Sequence, residues 1–372
     1  MKKIYYITAV FATLFLVGCG DGIDLPGVNV ETDLNKIPLP DNNVNLEQVE
    51  LKPSTEPMLH EGLHTEEDFQ RIRDKKAAGE EPWVSAYQLL VESQFSQKTA
   101  DTYPTEWIKR GVSGDENYMN AARGATIAYQ QALRWKIEQD DEYAAKAVEN
   151  LNKWVQTCVG VTGNTNLSLA AGLYGYEFAI AGELLRDYEG WDRADFAAFQ
   201  NWLLKVFYPA NDDFLKRHHD TNALHYWANW CLCNIAAKMA IGIVTDRRDI
   251  YNEGIGHLQT GDTNGRLRRA IYHDYAPDYN FAQWQESGRD QGHTLMCVGL
   301  MGIICQLAWS QGDDFFAYDD NLFMRACEYA ACCNYTNETV PYTTYIWQKQ
   351  SQWGYPIPEE QTTLGGGKWI KR

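Results

Sequence analysis

Apolar residues recur along most of the chain at intervals of three and four, the spacing of one face of an α-helix, with short polar or glycine-containing breaks between the runs. The pattern predicts helices over 65–78, 82–93, 116–138, 142–158, 167–188, 193–206, 220–242, 246–258, 287–310 and 320–334. Thr65 followed by Glu66, Glu67 and Asp68 is a start signal for the first. Ser287 with Asp290 three residues on has the form of a capping box before an apolar run. Two kinds of helix alternate. The stretches from Asn117, Leu167, Asp220 and Ser287 are rich in Ala, Gly and aromatics nearly all round, whereas 142–158 and 246–258 carry a single apolar stripe. Buried helices alternating with half-exposed ones predict an all-α fold, an (α/α) toroid in which an outer ring wraps an inner one. No strand-like alternation occurs before Thr339 to Trp347, and the end of the chain, with Gly365 to Gly367 and KWIKR, supplies no closing helix. The barrel is therefore expected to be incomplete.

The N-terminus follows other rules. MKKIYYITAVFATLFLVGC pairs two lysines with an apolar run too short to span a bilayer and ends on a small-residue cysteine site, the form of a bacterial lipoprotein signal over residues 1–19. Cys19 would carry the lipid. Residues 20–57 are rich in Asp, Asn, Pro and Val without periodicity and read as a flexible tether. Residues 58–372 show no linker-like break and are expected to form one domain. The implied location is the outer membrane or periplasmic face of a Gram-negative cell, with the lipid as the only membrane contact.

Composition narrows the function. A net charge of −17 argues against nucleic acid as a partner, so an anionic ligand has to be met by a local basic cluster. The 13 Trp and 22 Tyr suggest platforms for sugar rings. Eight cysteines after Cys19 lie mostly inside apolar helical patterns and read as buried free thiols, without a paired-cysteine metal motif. No metal and no cofactor is expected.

Three stretches carry candidate chemistry. QWQESGRDQGHT, opening the helix predicted from Ser287, places Arg289 and His293 four residues apart at a positive helix end, beside Gln285, Glu286 and Trp284. In HHDTNALHYWANW, Asn222, His225, Tyr226 and Asn229 fall at i, i+3, i+4 and i+7 and would form one polar stripe, with Trp230 close by. Between them, NGRLRRAIYHDYA sets Arg266, Arg268 and Arg269 ahead of Tyr272, where basic neighbours would favour a phenolate.

TNALHYWANW, VTDRRDIYNE, RRAIYHDYA, QWQESGRDQGHT and AWSQGDD together resemble the alginate lyase superfamily of helical toroid polysaccharide lyases, most nearly polysaccharide lyase family 38. The resemblance implies an (α/α) barrel and β-eliminative cleavage of a polyuronate. It places the family's catalytic tyrosine on Tyr272. The family's adjacent Asn and His fall on Ala223 and Leu224, so Asn222 and His225 take those roles only with a shifted helix start. Its carboxylate-neutralising arginine falls on Gly265, leaving Arg266 or Arg289 as the substitute.

The chemistry suits these residue types. Elimination removes a weakly acidic C5 proton beside a carboxylate, so fixed donors there lower the barrier. Tyr272 is expected as acid, and as base for one substrate epimer, with His225 as base for the other. Asn222, Arg289 and His293 would hold the carboxylate. Arg266, Tyr226, Asn229, Trp230, Trp284, Gln285 and Glu286 would bind the anionic chain. Two rivals share the residues: a glycoside hydrolase using carboxylates at the barrel mouth, and a non-catalytic glycan-binding lipoprotein.

Overall fold

A computed structural model describes residues 55–335 and 340–343. Cys19, the signal segment, most of the tether, all but 340–343 of the strand-like stretch and the C-terminal end lie outside the described residues. The elements are α1 (Glu66–Ala77), α2 (Trp83–Glu92), β1 (Trp107–Arg110), α3 (Tyr118–Glu138), α4 (Asp141–Thr157), β2 (Gly160–Gly163), α5 (Leu167–Leu184), α6 (Arg193–Val206), α7 (Tyr208–Arg217), α8 (Ala228–Val244), α9 (Arg248–Thr260), α10 (Leu267–Ala270), β3 (Ile271–Asp274), β4 (Ala282–Trp284), α11 (Gln291–Ser310) and α12 (Tyr318–Tyr335).

The four helices without an apolar stripe are the inner ring of an (α/α) toroid. α3 packs on α5, α5 on α8, and α8 on α11, while α4 covers α3 and α9 covers α8 from outside. Burial follows composition: every described side chain of α8 is buried, whereas α4 buries one face through Tyr143, Ala147, Leu151 and Trp154. Small residues bring the inner helices close. A Cβ on Gly172 of α5 would sit 2.5 Å from Cys233 Sγ of α8, so only glycine permits this approach. α11 is long and apolar enough to cross a membrane, yet it is a member of this ring, packed on α8.

The inner helices begin at the same end. β1 and β2, which precede α3 and α5, pair in parallel, from Trp107 with Gly160 to Arg110 with Gly163. Asn229 of α8 meets Met296 of α11, each near its helix start. Residues 56–64 form a strap across the other side of the ring. Gln311, at the end of α11, donates to the carbonyls of Leu59 and Glu61 at 3.0 and 2.8 Å. His64 reaches Tyr129 of α3 at 2.6 Å, and Arg248 holds the carbonyls of Glu56 and Pro57.

The structure departs from the sequence pattern at several starts. Thr65 caps α1, as its start signal implied, and does so through a capping box with Asp68. Ser287 caps nothing: it lies in a 3₁₀ turn (Gln285–Gly288), and Asp290 is the N-cap of α11. The helix expected from Asp220 starts at Ala228, after a run in which His218, His219 and Asp220 all have positive φ, a conformation that ordinary residues adopt at a cost. α7 was not foreseen, because Pro209 reads as a break although it occupies the first turn, where proline is tolerated. The strands have three or four residues, too few for alternation to show.

Candidate active site

The rim at the starts of α8 and α11 is built by one turn of chain. After β4, the 3₁₀ turn turns its side chains back onto α8. The amide N–H of Ala228 donates to Gln285 Oε1 at 2.8 Å, and that of Asn229 donates to Glu286 Oε1 at 3.3 Å. A helix start has amides without partners inside the helix. Here residues 57 positions away satisfy two of them. Glu286 is sealed from solvent, and its other oxygen meets Arg289 Nη1 at 3.4 Å. The Arg289 guanidinium lies 5.3 Å from the ring centre of Trp227, the residue just before α8. The two segments singled out in the sequence therefore meet.

Asp290 has two tasks. One carboxylate oxygen accepts from the amide of His293 at 2.8 Å and caps α11; the other contacts His293 Nδ1 at 2.6 Å. A carboxylate only accepts, so Nδ1 carries the proton and Nε2 is the remaining edge of the ring. Burial would raise the Asp290 carboxyl, but the His293 ring and amide and the Arg289 charge outweigh it and hold the group below the usual carboxylate range.

The segment before α8 is a set of turns. Asn222 Oδ1 accepts from the Leu224 amide at 2.8 Å, and the Asn222 carbonyl accepts from the His225 amide at 2.9 Å. Asn264 pins the segment by donating to the carbonyls of Leu224 and Tyr226 at 3.0 and 2.8 Å. Tyr226 packs at 4.6 Å on Trp230 and at 4.9 Å on His225. His219 contributes a further wall, 5.8 Å from Tyr226 and held by Ser168 of α5 at 2.9 Å. Burial lowers the His219 pKa, keeping that imidazole neutral.

Tyr272 stands on β3, whose antiparallel partner β4 leads directly into the 3₁₀ turn. Its hydroxyl oxygen accepts from Gln283 Nε2 at 3.0 Å. Arg266 occupies the N-cap position of α10 without a side-chain cap bond, while Arg289 lies beside Trp227.

Several expectations are corrected. Asn222, His225, Tyr226 and Asn229 do not form a helical stripe, because only Asn229 is in α8; the first three are gathered by turns. Trp284 offers no stacking face: it is fully buried, and its indole N–H donates to the Ala326 carbonyl of α12 at 3.0 Å. Gln285 and Glu286 point into the protein as caps of α8, not outward to a ligand. Residues that the sequence reading missed are Gln283, Trp227, Asn264, His219 and Ser168. The alternation in AQWQ, with Gln283 and Gln285 on one side and Ala282 and Trp284 on the other, was a signal, though only four residues long. Among the described residues, no group of three or more His, Cys, Asp or Glu is placed to hold a metal ion. None of the eight cysteines from Cys158 to Cys333 is in a disulfide, and five of them are buried.

The sequence model of the alginate lyase family matches residues 72–338. The chain belongs to the alginate lyase family. Its membership makes it a polysaccharide lyase. No curated protein sequence matches it. Among solved structures it is similar to alginate lyase A1-III from Sphingomonas species A1, at TM-score 0.52 and 13% identity, covering 74% of this chain and 79% of that one. It is also similar to an alginate lyase from Bacteroides ovatus, at TM-score 0.53 and 15% identity, covering 72% and 81% of the two chains. A histidine-to-alanine variant of A1-III complexed with a tetrasaccharide superposes at TM-score 0.55 and 13% identity, over 72% and 75%. At these identities the likeness establishes the toroid fold. The finer grouping with polysaccharide lyase family 38 rests on the motif resemblance.

Proposed function

We propose that this alginate lyase family member cleaves a polyuronate by β-elimination, with the scissile sugar held between the turns before α8 and the segment 289–293. The observation that carries the reading is the docking of Gln285 and Glu286 onto the start of α8. It joins Arg289, Asp290 and His293 to Trp227, Tyr226 and His225 on one rim, next to the strand of Tyr272. The tetrasaccharide bound by the A1-III variant supports an oligosaccharide ligand for this rim.

Arg289, with the Nε2 edge of His293 and the amide of Asn222, holds the uronate carboxylate, on which charge builds in the transition state. Tyr272 or His225 takes the C5 proton, the electron pair forms the C4–C5 double bond, the C4–O bond breaks, and a phenolic proton passes to the leaving oxygen. Of the two arginines, Arg289 suits the carboxylate because its guanidinium lies beside Trp227 on the rim. A hydrolase would need two available carboxylates. Both oxygens of Glu286 and both of Asp290 are engaged within the protein, which favours elimination.

The test is a panel of defined polyuronates followed at the near-ultraviolet absorbance of the unsaturated product. Rising absorbance with at least one of them is expected; chain shortening without it would mean hydrolysis, and unchanged chain length would mean a binding protein.

We further propose export as a lipoprotein anchored at Cys19, on the strength of the N-terminal pattern. Cys19→Ser is expected to move the protein from the membrane to the soluble fraction; unchanged fractionation would refute the anchor.

A further inference from the structure

Gln283 of β4 is fully buried and uses every hydrogen-bonding position of its amide. Oε1 accepts from Tyr275 Oη at 2.6 Å and from the Thr343 amide at 2.9 Å. Nε2 donates to the Thr343 carbonyl at 2.9 Å and to Tyr272 Oη at 3.0 Å. Side-chain amides are commonly ambiguous as to which end is nitrogen. Here Thr343 decides: its N–H can only donate and its C=O can only accept, so the NH₂ end of Gln283 has to face Tyr272. The segment carrying Thr343 is itself fixed, since the Pro341 carbonyl accepts from Tyr329 of α12 at 3.1 Å.

We propose that Gln283 is a positioning residue that readies Tyr272 for proton transfer, the backbone of Thr343 locking its amide as a donor to the phenolic oxygen. The role in turnover rests on the reading of Tyr272 given above. Burial of Tyr272 opposes a phenolate, and a fixed N–H aimed at the oxygen offsets that opposition, because the bond strengthens as negative charge appears there. The bond also orients the phenol, since its oxygen already accepts from one side. The charged and titratable groups packed around β3 are His273 and Asp274 on the strand, Tyr275 just after it, Arg268 and Arg269 on α10, Tyr329 and Arg325 from α12, and Glu286 in the 3₁₀ turn with Arg289 just after it. None of them is changed by substituting Gln283.

The experiment uses Gln283→Met, which fills the space without a donor, and Gln283→Glu, which keeps the shape and the two accepted bonds but loses both donated ones. Ionisation of Tyr272 is read from the ultraviolet phenolate band, as the difference between each protein and the same protein carrying Tyr272→Phe. Both Gln283 variants are expected to move that ionisation up by about one pH unit or more. Where the polyuronate assay gives product, kcat is expected to fall about 100-fold with KM little changed, and the pH profile to move up with the titration. A folded variant that titrates Tyr272 at the wild-type pH overturns the proposal. A wild-type protein that releases no unsaturated product instead overturns the lyase reading, and the phenolate titration still decides the role of Gln283.

Discussion

The side chain of Gln285 accepts a hydrogen bond from the backbone N–H of Ala228 at 2.8 Å, so a turn late in the chain serves as the cap of an inner helix that begins 57 residues earlier. Helix starts are normally capped by a residue just ahead of the first turn. Trp227, which occupies that position, makes no side-chain cap to α8. The rim and the helix are thus one cooperative unit.

Removing this cap should damage stability and activity together. Gln285→Leu leaves the Ala228 amide without its partner and is expected to cost roughly 0.5–2 kcal/mol, the range for a lost N-cap. Because Tyr226 and Trp227 lead straight into that helix, turnover should fall as well. Urea unfolding beside the cleavage assay checks both; a destabilised variant with wild-type kinetics would separate the cap from the site.

Tyr272→Phe keeps the ring in its buried place and removes only the hydroxyl. Loss of the Gln283 bond should cost about 1 kcal/mol, the usual net value for one hydrogen bond. Cleavage is expected to disappear while binding of a saturated oligouronate, measured by calorimetry, persists. Near-normal turnover would remove Tyr272 from the mechanism.

Arg289 has a structural and a chemical role that substitution can divide. Arg289→Ala strands the Glu286 carboxylate in a sealed place, and breaking a buried pair in this way costs about 3–5 kcal/mol. Arg289→Lys keeps the charge near Glu286 but loses the guanidinium beside the Trp227 ring and the two-pronged grip on a carboxylate. The lysine variant should melt near the wild-type temperature with kcat/KM reduced at least tenfold. Unchanged kinetics in a folded lysine variant would confine Arg289 to the ion pair with Glu286.

The inner ring was legible in the sequence because helices buried on all sides lose their polar face, and α3, α5, α8 and α11 were each marked in that way. Helix starts were less legible. A capping box is a local pattern, and at Ser287 it is overridden because Gln285 and Glu286 are recruited to α8 by a contact that no local window contains. The stripe from Asn222 to Asn229 failed for a related reason: helical spacing ahead of a helix resembles the helix itself, whereas the chain runs through turns as far as Trp227. His225 and Tyr226 nevertheless stand directly ahead of Trp227, whose ring the Arg289 guanidinium faces. Trp284 was misjudged because an indole next to polar residues reads the same whether it faces solvent or α12.

Glu177, on the inner helix α5, gives the fold a pH dependence of its own. One carboxyl oxygen, Oε2, is sealed from solvent without a hydrogen-bond partner, and burial lifts the pKa from 4.5 to about 8. The neighbouring His64–Tyr129 pair, between the strap and α3, stays neutral, because burial lowers the histidine to about 4 and, with Glu177, raises the tyrosine. The folded state therefore binds a proton at Glu177 that the unfolded chain has released between about pH 4.5 and pH 8. The group's contribution to stability is full below the unfolded value and is lost as pH rises through the folded one. Glu177→Gln, which mimics the protonated carboxyl, should be close to wild type in thermal stability near pH 4.5 and more stable at pH 9. The gain should be roughly 1–2 °C for each kcal/mol relieved in a chain of this size. Melting curves of both proteins across that range decide the matter: parallel curves would show that Glu177 is ionised in the fold at neutral pH and finds a partner there.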